Sequence, residues 1–197
     1  MDLETRFNNL VKRMKEPSFV SGADLANEVN YYIFAYDAAQ ELLVENLIGE
    51  KLLRNPELSK LNVQELDLYD IMINKIESLN NLADDSPFKL IAEMERRGGL
   101  ELVAKQLNNV LKMDKDDNVI VEEAKNKLSD QKKNHVLLIT GVGKVFPIIR
   151  AHKVLNTMHQ IIDTCPVIMF YPGTYDELSL SIFGEVKDQN YYRAFKL

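Results

Sequence analysis

The spacing of apolar positions predicts that the chain begins with a helix and then enters a buried strand. Apolar residues recur every three or four positions over residues 2–15, which is typical of an amphipathic helix, and Pro17 ends it. Residues 30–37 form an aromatic and β-branched run that predicts the first core strand. Asp37 is then expected to cap a helix that ends before Pro56. That helix carries its apolar residues at Leu42, Leu43, Leu47, Ile48 and Leu52.

The middle of the chain, about residues 70–132, is predicted to be helical and acidic. We interpret it as a helical layer or insertion on an α/β core. A second strand is predicted over residues 63–68. The expected helix boundaries are a cap at Asp70, a start at Ser86-Pro87, a break at Gly98-Gly99, and a polar helix over about 119–131.

The last third of the chain has the order of a βαβ unit. Residues 135–140 form a continuous apolar run, as expected for a parallel strand covered on both faces. Helical spacing follows over 147–163, and Val167 to Tyr171 predicts another strand, closed by Pro172-Gly173. Alternation at Leu178, Leu180 and Ile182, and a strand-like run from Tyr192 to Leu197, predict a terminal hairpin or edge pair.

These elements together predict a single α/β domain over residues 1–197. We expect a central, mostly parallel sheet of the Rossmann-like type, built from βαβ units and flanked by helices. A C-terminal edge strand or hairpin completes the predicted architecture.

Composition narrows the classes of function. The 197 residues include 24 Lys and Arg against 30 Asp and Glu, a net charge of −6, which argues against a dedicated non-specific nucleic-acid binder. The single cysteine excludes an intramolecular disulfide and a zinc framework within the chain. The first residues lack a signal-peptide pattern, and the apolar runs are far shorter than the ~20 residues of a membrane span. We therefore expect a cytoplasmic protein without membrane contact.

A short glycine-containing turn follows the strand at 135–140. The sequence Thr140-Gly141-Val142-Gly143-Lys144 stands between a strand and a helix, a context that suits anion binding. It lacks the longer loop and the hydroxyl residue of a phosphate-binding Walker motif. Two interpretations stay open at this stage: a tight strand-to-helix turn, or a degenerate loop that contacts a ligand or partner.

The segment Tyr171 to Asp176 follows the next predicted strand. If the two strands are parallel neighbours, this segment lies beside the 141–144 turn, at the edge where open parallel sheets bind ligands. Tyr171, Gly173, Thr174 and Tyr175 are therefore candidate contact residues. The alternative is a Pro-Gly turn with packed rings.

Positive charge is concentrated in one window. Residues 131–162 contain Lys132, Lys133, Lys144, Arg150 and Lys153 and no acidic residue, so the window carries +5 and the rest of the chain −11. Such segregation can steer an acidic partner or a phosphate backbone to the protein, although a solvated basic face is the simpler interpretation.

Searches for catalytic and metal-binding patterns give no candidate. His152 and His159 are seven residues apart, not the three or four of a helical metal pair. Cys165 has no histidine in a recognisable motif. We therefore predict no enzyme activity, no catalytic residue, no metal and no cofactor.

Four segments resemble the BrxB family, a small component of the BREX bacteriophage-resistance systems. They are IFAYDAAQE (33–41), HVLLITGVGKVFPIIRAHKVLN (135–156), PVIMFYPGTYD (166–176) and LSLSIFGEVKDQNYYRAF (178–195). The positions that match the family's motifs are Gly141, Gly143, Lys144, Pro147, Arg150, Tyr171, Pro172, Gly173, Thr174, Tyr175, Tyr191, Tyr192, Arg193 and Phe195.

This resemblance implies a role in host defence through assembly with other BREX proteins, a PglZ-like protein first among them. It implies no catalytic activity. The leading hypothesis is a non-catalytic subunit of a phage-defence assembly. The alternative is a nucleotide- or nucleic-acid-binding module that uses the basic 131–153 stretch and the Gly141–Lys144 turn.

The tyrosine-rich end of the chain has the composition of an interface hot spot. Tyr175 and Arg193 are therefore expected to contribute to partner binding, with Tyr191 and Tyr192 on opposite faces of a strand. The competing view is that these residues lock the terminal hairpin. Substitutions would then lower stability and leave the affinity of the folded protein unchanged.

Overall fold

Seven strands and eight α-helices make up the described part of the chain. The computed structural model describes residues 2–21, 31–81, 86–130, 134–176, 179–183, 186–188 and 194–197. The strands are β1 (Tyr31–Tyr36), β2 (Asn62–Asp67), β3 (His135–Thr140), β4 (Val167–Tyr175), β5 (Leu180–Ile182), β6 (Val186–Asp188) and β7 (Phe195–Lys196). The α-helices are α1 (Leu3–Met14), α2 (Pro17–Ser21), α3 (Glu41–Leu47), α4 (Leu68–Glu77), α5 (Pro87–Val110), α6 (Val119–Lys127), α7 (Val142–Val145) and α8 (Ala151–Ile161).

The sheet has a parallel core with a short antiparallel extension. Its order is β2-β3-β4-β1-β7, and every neighbouring pair in that order is parallel. The end of β4 continues into an antiparallel pair with β5, which in turn pairs with β6. The predicted fold class is confirmed: a mostly parallel α/β sheet with helices on both faces.

Alternation along each strand sends side chains to two separate cores. On one face, Tyr32, Phe34 and Phe170 meet α1 and the helical segment after β1. On the other face, Ile139 and Met169 meet α4 to α8. Because both faces are covered, the central strands are apolar at nearly every position, which explains the continuous runs in the sequence.

The kinked helix α5 confirms the expected break in the middle region. Gly99 has φ +65° and ψ −171°, so it interrupts the helical backbone between two helical stretches. Glycine is the residue that adopts a positive φ without steric cost, and the Gly98-Gly99 signal therefore marked the kink correctly. No helix in the described ranges combines the length and the apolar character needed to cross a membrane.

Three predicted boundaries in the last third need correction. Strand β4 does not close at Pro172-Gly173 but runs to Tyr175, because Gly173 pairs with Ile182 of β5. The helix predicted over 147–163 spans Ala151–Ile161, and a separate short helix, α7, precedes it. The polar helix predicted over 119–131 ends at Lys127.

The C-terminal edge strand is confirmed. Its described part, Phe195–Lys196, lies parallel to β1 at the edge of the sheet. The antiparallel hairpin of this region is formed by β5 and β6. Residues 192 and 193, which the prediction also included, lie outside the described residues.

The cap of α4 is Asp67, and the prediction of Asp70 was wrong. The Oδ1 atom of Asp67 accepts hydrogen bonds from the backbone amides of Tyr69, at 2.8 Å, and Asp70, at 3.2 Å. Asp70 is itself in the first turn of the helix. The helix starts three residues earlier than expected because β2 passes directly into it.

We expect Asp67→Ala to lower the free energy of unfolding by about 1 kcal/mol, because it leaves two helix-terminal amides without their acceptor. Asp70→Ala is the matched control, with an expected change under about 0.5 kcal/mol because Asp70 is exposed. Urea denaturation of both variants measures the difference. Equal losses, or a larger loss for Asp70→Ala, would contradict this assignment of the cap.

Candidate functional site at the carboxyl edge of the sheet

A crevice of about 290 Å³ opens where the chain leaves β1, β2 and β3. Open parallel sheets bind their ligands at this carboxyl edge, because the loops that leave neighbouring strands diverge there. The described residues that line the crevice are Tyr36, Glu41, Val44, Glu45, Ile48, Gly49, Leu53, Arg54, Glu65, Asp67, Thr140, Gly141, Lys144 and Phe170.

The chain turns sharply at this edge, at Asp37 and at Gly141. Asp37 accepts a hydrogen bond from the Ala39 amide and opens the 3-10 turn that leads into α3. Gly141 has φ +70°, and a Cβ atom at this position would lie 2.5 Å from Oδ1 of Asp67. Glycine is therefore required where β3 passes into α7, because the backbone is left-handed and the α4 cap lies against it.

Carboxylates outnumber cations in the crevice. Its described lining has four acidic side chains, Glu41, Glu45, Glu65 and Asp67, and two basic ones, Arg54 and Lys144. Two hydroxyl groups donate to these acids at 2.6 Å and 2.8 Å: Tyr36 to Glu41 and Thr140 to Glu65. The crevice is therefore a mainly acidic, hydrogen-bonded surface.

Lys144 is held between acidic groups. Its Nζ atom makes an ion pair with Glu45 and lies 3.9 Å from Oδ2 of Asp67. The hydrogen bond to Glu45 raises the pKa of Lys144, with a further contribution from the Asp67 carboxylate. This setting disfavours a phosphate group at Lys144, because the surrounding carboxylates already neutralise its charge.

A π-helical segment forms one wall of the crevice. Helix α3 continues into a π-helix over Ile48–Leu53, a rare conformation that occurs frequently at functional sites. A Cβ atom on Gly49 would lie 3.0 Å from Nη2 of Arg54, so the missing side chain lets the guanidinium group fold over the helix. The π-helix thereby places Arg54 on the crevice wall.

Exposed apolar side chains lie on elements near this crevice. Among the described residues, eight large hydrophobic side chains are exposed. Of these, Leu53 lines the crevice, Leu42 and Leu43 lie on α3, Tyr69 is in the first turn of α4, and Phe183 follows β5. Leu42, at 76% exposure, is the most exposed of the eight. Single exposed apolar residues are ordinary, but several of them on elements near one crevice are typical of an interaction site. We call the crevice together with Leu42, Leu43, Leu53, Tyr69 and Phe183 the carboxyl-edge surface.

The structure brings together the two loops that the sequence singled out. Strands β3 and β4 are parallel neighbours, and a Cβ atom on Gly143 would lie 2.9 Å from Cγ of Pro172. Within the second loop, Thr174 is exposed, whereas Tyr171 and Tyr175 are buried at 3% and 2% exposure. Burial of both rings favours the packed-ring alternative over a direct contact role.

The other candidate residues are dispersed. Arg150 is exposed just before α8. Lys153 makes an ion pair with Asp114 at 2.6 Å, so two of the three described cations of the basic window, Lys144 and Lys153, face acidic partners. The candidates Tyr191, Tyr192 and Arg193 lie outside the described residues, as do Lys132 and Lys133 of the same window.

Comparison with known proteins identifies the family. The family model "BREX protein BrxB" matches residues 64–197. The chain belongs to the BrxB family. A "BREX protein BrxB" of Bacillus cereus (strain H3081.97) is 35% identical over 99% of this chain and 97% of its own length. Another, of Escherichia coli O9:H4 (strain HS), is 29% identical over 99% of this chain and 91% of its own. No solved structure matches the chain.

Membership of the BrxB family confirms the resemblance seen in the sequence motifs. BrxB proteins are components of BREX systems, so this membership supports the expected role in phage defence. The matched region includes the ends of β2 and β3, which line the crevice.

Titratable side chains of this BrxB-family chain serve mainly structural contacts. Burial raises the pKa of the Cys165 thiol to about 12, so it stays protonated at neutral pH. The His159 ring stacks on Tyr31 at 4.4 Å between centroids. His135 contacts Asn62 and the Asp130 carbonyl. Over the described ranges, no three His, Cys, Asp or Glu side chains are grouped as a metal site requires.

Sequence analysis missed most of the carboxyl-edge surface. The predicted helix included Leu42 and Leu43 among its apolar residues, and both are exposed. The available signal was spacing: Val44, Leu47, Ile48 and Leu52 form one buried stripe at i, i+3, i+4 and i+8, and the two leucines lie outside it. Glu45, Arg54 and Glu65 carried no motif, because only the fold brings them together.

Proposed function

We propose that this chain is a non-catalytic subunit of a BREX phage-defence assembly. It acts by protein–protein interaction, with a PglZ-like protein as its principal partner. Family membership supports the assembly, and the carboxyl-edge surface supports the mode of action. The observation that carries the proposal is the set of exposed apolar side chains on elements near a mainly acidic crevice.

The proposed interface has the composition of a binding site. Exposed leucine, tyrosine and phenylalanine side chains provide apolar anchors, and the crevice provides a polar surround. The excess of carboxylates over cations favours a partner surface with lysine or arginine beside apolar residues. Leu42 is the best anchor candidate because little of its side chain is covered by its own chain.

The absence of a catalytic role is part of the proposal. Lys144 is paired with Glu45, and the Cys165 thiol is buried with a raised pKa. Neither group is activated as a nucleophile: the hydrogen bond to Glu45 raises the pKa of Lys144 and favours its ammonium form, and burial keeps the Cys165 thiol protonated. These contacts support a binding protein over an enzyme.

We expect Leu42→Asp to weaken binding to a co-expressed PglZ-like protein by at least about tenfold, as truncation of an interface anchor does. The physical reason is the loss of an apolar contact and the addition of a carboxylate to an already acidic surface. Binding is measured by biolayer interferometry at near-physiological salt, after complex formation has been shown by pull-down and size-exclusion chromatography.

Leu100→Asp is the matched control, since Leu100 is 48% exposed on α5 and lies outside the carboxyl-edge surface. Both variants should keep the melting temperature of the wild type. Failure of the wild type to bind any BREX protein encoded beside it would refute the proposal. Equal weakening by the two variants would refute this choice of surface.

The nucleic-acid alternative is tested on the same samples. ATP, single-stranded DNA and duplex DNA are titrated at low salt against the wild type and the double variant Lys144→Ala/Arg150→Ala. The pairing of Lys144 with Glu45 predicts no measurable binding. Salt-sensitive binding that the double variant abolishes would instead establish the alternative.

A further inference from the structure

A second recess, with the opposite charge, lies between α1 and the strands β1 and β7. Its volume is about 350 Å³, within the range of ligand-binding pockets. The described residues that line it are Arg6, Asn9, Leu10, Arg13, Phe34, Lys196 and Leu197. None of them belongs to the carboxyl-edge surface. We call this recess the cationic groove.

Both arginines of the cationic groove are held in place by aromatic rings. The guanidinium carbon of Arg6 lies 4.1 Å from the centroid of Phe34, and that of Arg13 lies 4.8 Å from the centroid of Tyr32. Arg6 also donates a hydrogen bond to the α-carboxylate of Leu197 at 3.2 Å. An arginine has five N–H donors, so these contacts orient the group and leave donors for a ligand.

The charge of the cationic groove is unbalanced. Arg6, Arg13 and Lys196 provide three positive charges, and its described lining contains no acidic side chain. The α-carboxylate of Leu197, the last residue of the sequence, offsets one of these charges. The remaining positive charge stands out in a chain whose net charge is −6. Leu10 and Phe34 form the base of the groove and are themselves buried, at 3% and 1% exposure. A complementary ligand must therefore be anionic.

The geometry favours a peptide over a phosphate. Phosphate sites in proteins are commonly built from backbone amides at helix N-termini and glycine-rich loops. The described lining has no glycine, and its α1 members project from positions 6 to 13 along the helix. Arg6 and Arg13 are two helical turns apart, roughly 10 Å along the axis. In an extended chain, carboxylates two or four residues apart lie on one face at roughly 7 and 13 Å, which brackets this distance.

We propose that the cationic groove binds an acidic, extended segment of a protein partner. Carboxylates of that segment contact Arg6, Arg13 and Lys196 above the buried Leu10 and Phe34. This binding site is independent of the carboxyl-edge surface. It gives the protein a second docking face of opposite charge preference, as a subunit that bridges two partners requires.

The test is a selection from a random peptide library displayed on yeast, with the wild-type protein as the target. The selected peptides should be rich in Asp and Glu. Their affinity, measured by fluorescence anisotropy, should fall at least about tenfold in Arg13→Ala. The matched control is Lys12→Ala, which removes the same charge from the adjacent exposed position of α1 and should change affinity less than twofold.

Lys196→Ala provides a second variant at an exposed position, in case Arg13→Ala loses stability through its contact with Tyr32. Failure to enrich peptides, enrichment of non-acidic peptides, or equal losses in Arg13→Ala and Lys12→Ala would overturn the proposal. ATP and single-stranded DNA are titrated in parallel. If either binds more tightly than the selected peptides and depends on Arg13, the groove is a nucleotide site and the proposal is wrong.

Discussion

Gly173→Ala is expected to lower the free energy of unfolding by about 3 kcal/mol. A Cβ atom at this position would overlap the carbonyl oxygen of Ser181 and would lie 3.0 Å from Cε1 of Tyr171. The first obstacle is backbone, and Ser181 is fixed by pairing with Thr174. The extra methyl group must therefore separate β5 from the end of β4. Chemical denaturation measures the loss.

Thr174→Ala is the control because Thr174 is the adjacent residue of the same strand and is exposed. Its expected change is within about 0.5 kcal/mol. The comparison also decides what Gly173 does. If Gly173→Ala kept the stability of the wild type and weakened partner binding, Gly173 would be a contact residue, as the sequence motif first indicated. A loss of stability alone assigns it to the packing of β4 against β5.

The central sheet could be predicted because its strands are buried on both faces. The runs at 31–36, 135–140 and 167–171 are apolar at successive positions, and β3 and β4 pair as the intervening helix predicts. The turn at Gly141 was also predictable, since it combines a glycine with a strand end. These features depend on residues that are close together in the chain.

The end of β4 could not be predicted from the same local signals. Pro172-Gly173 is a strong turn signal, and in isolation it ends a strand. Here the missing side chain of Gly173 serves another purpose, because it lets the backbone of β5 approach closely. Tertiary pairing therefore decides the local structure, and the sequence pattern alone does not contain that pairing.

The charges around Lys144 could not be predicted from the sequence either. Lys144 lies in a basic window of the chain, which suggested an anion-binding turn. In the fold it meets Glu45 and Asp67, which are 99 and 77 positions away in the chain. The positive charge of this window did not predict the acidic surroundings of Lys144. The carboxylates there come from α3 and from the end of β2.

Tyr175→Ala is expected to have the largest effect on stability, a loss of about 4 kcal/mol. Its ring is 2% exposed, and its hydroxyl donates to the Ala194 carbonyl oxygen at 2.7 Å. Ala194 immediately precedes β7, so the side chain connects the end of β4 to the edge strand that pairs with β1. Removal of the ring leaves a cavity and an unpaired carbonyl group. Thermal and chemical unfolding measure the loss.

Tyr175→Phe separates the hydrogen bond from the ring, and we expect it to cost about 1 kcal/mol because the ring volume is kept. The two hypotheses for Tyr175, an interface hot spot and a structural role, then differ in the partner affinity that they predict for this variant. If Tyr175 is a buried side chain that holds the terminal strand in place, the folded Tyr175→Phe variant should bind the partner as tightly as the wild type. A hot spot predicts weaker binding at unchanged stability, because the hydroxyl would then contact the partner. The 2% exposure of Tyr175 and its bond to Ala194 favour the first outcome.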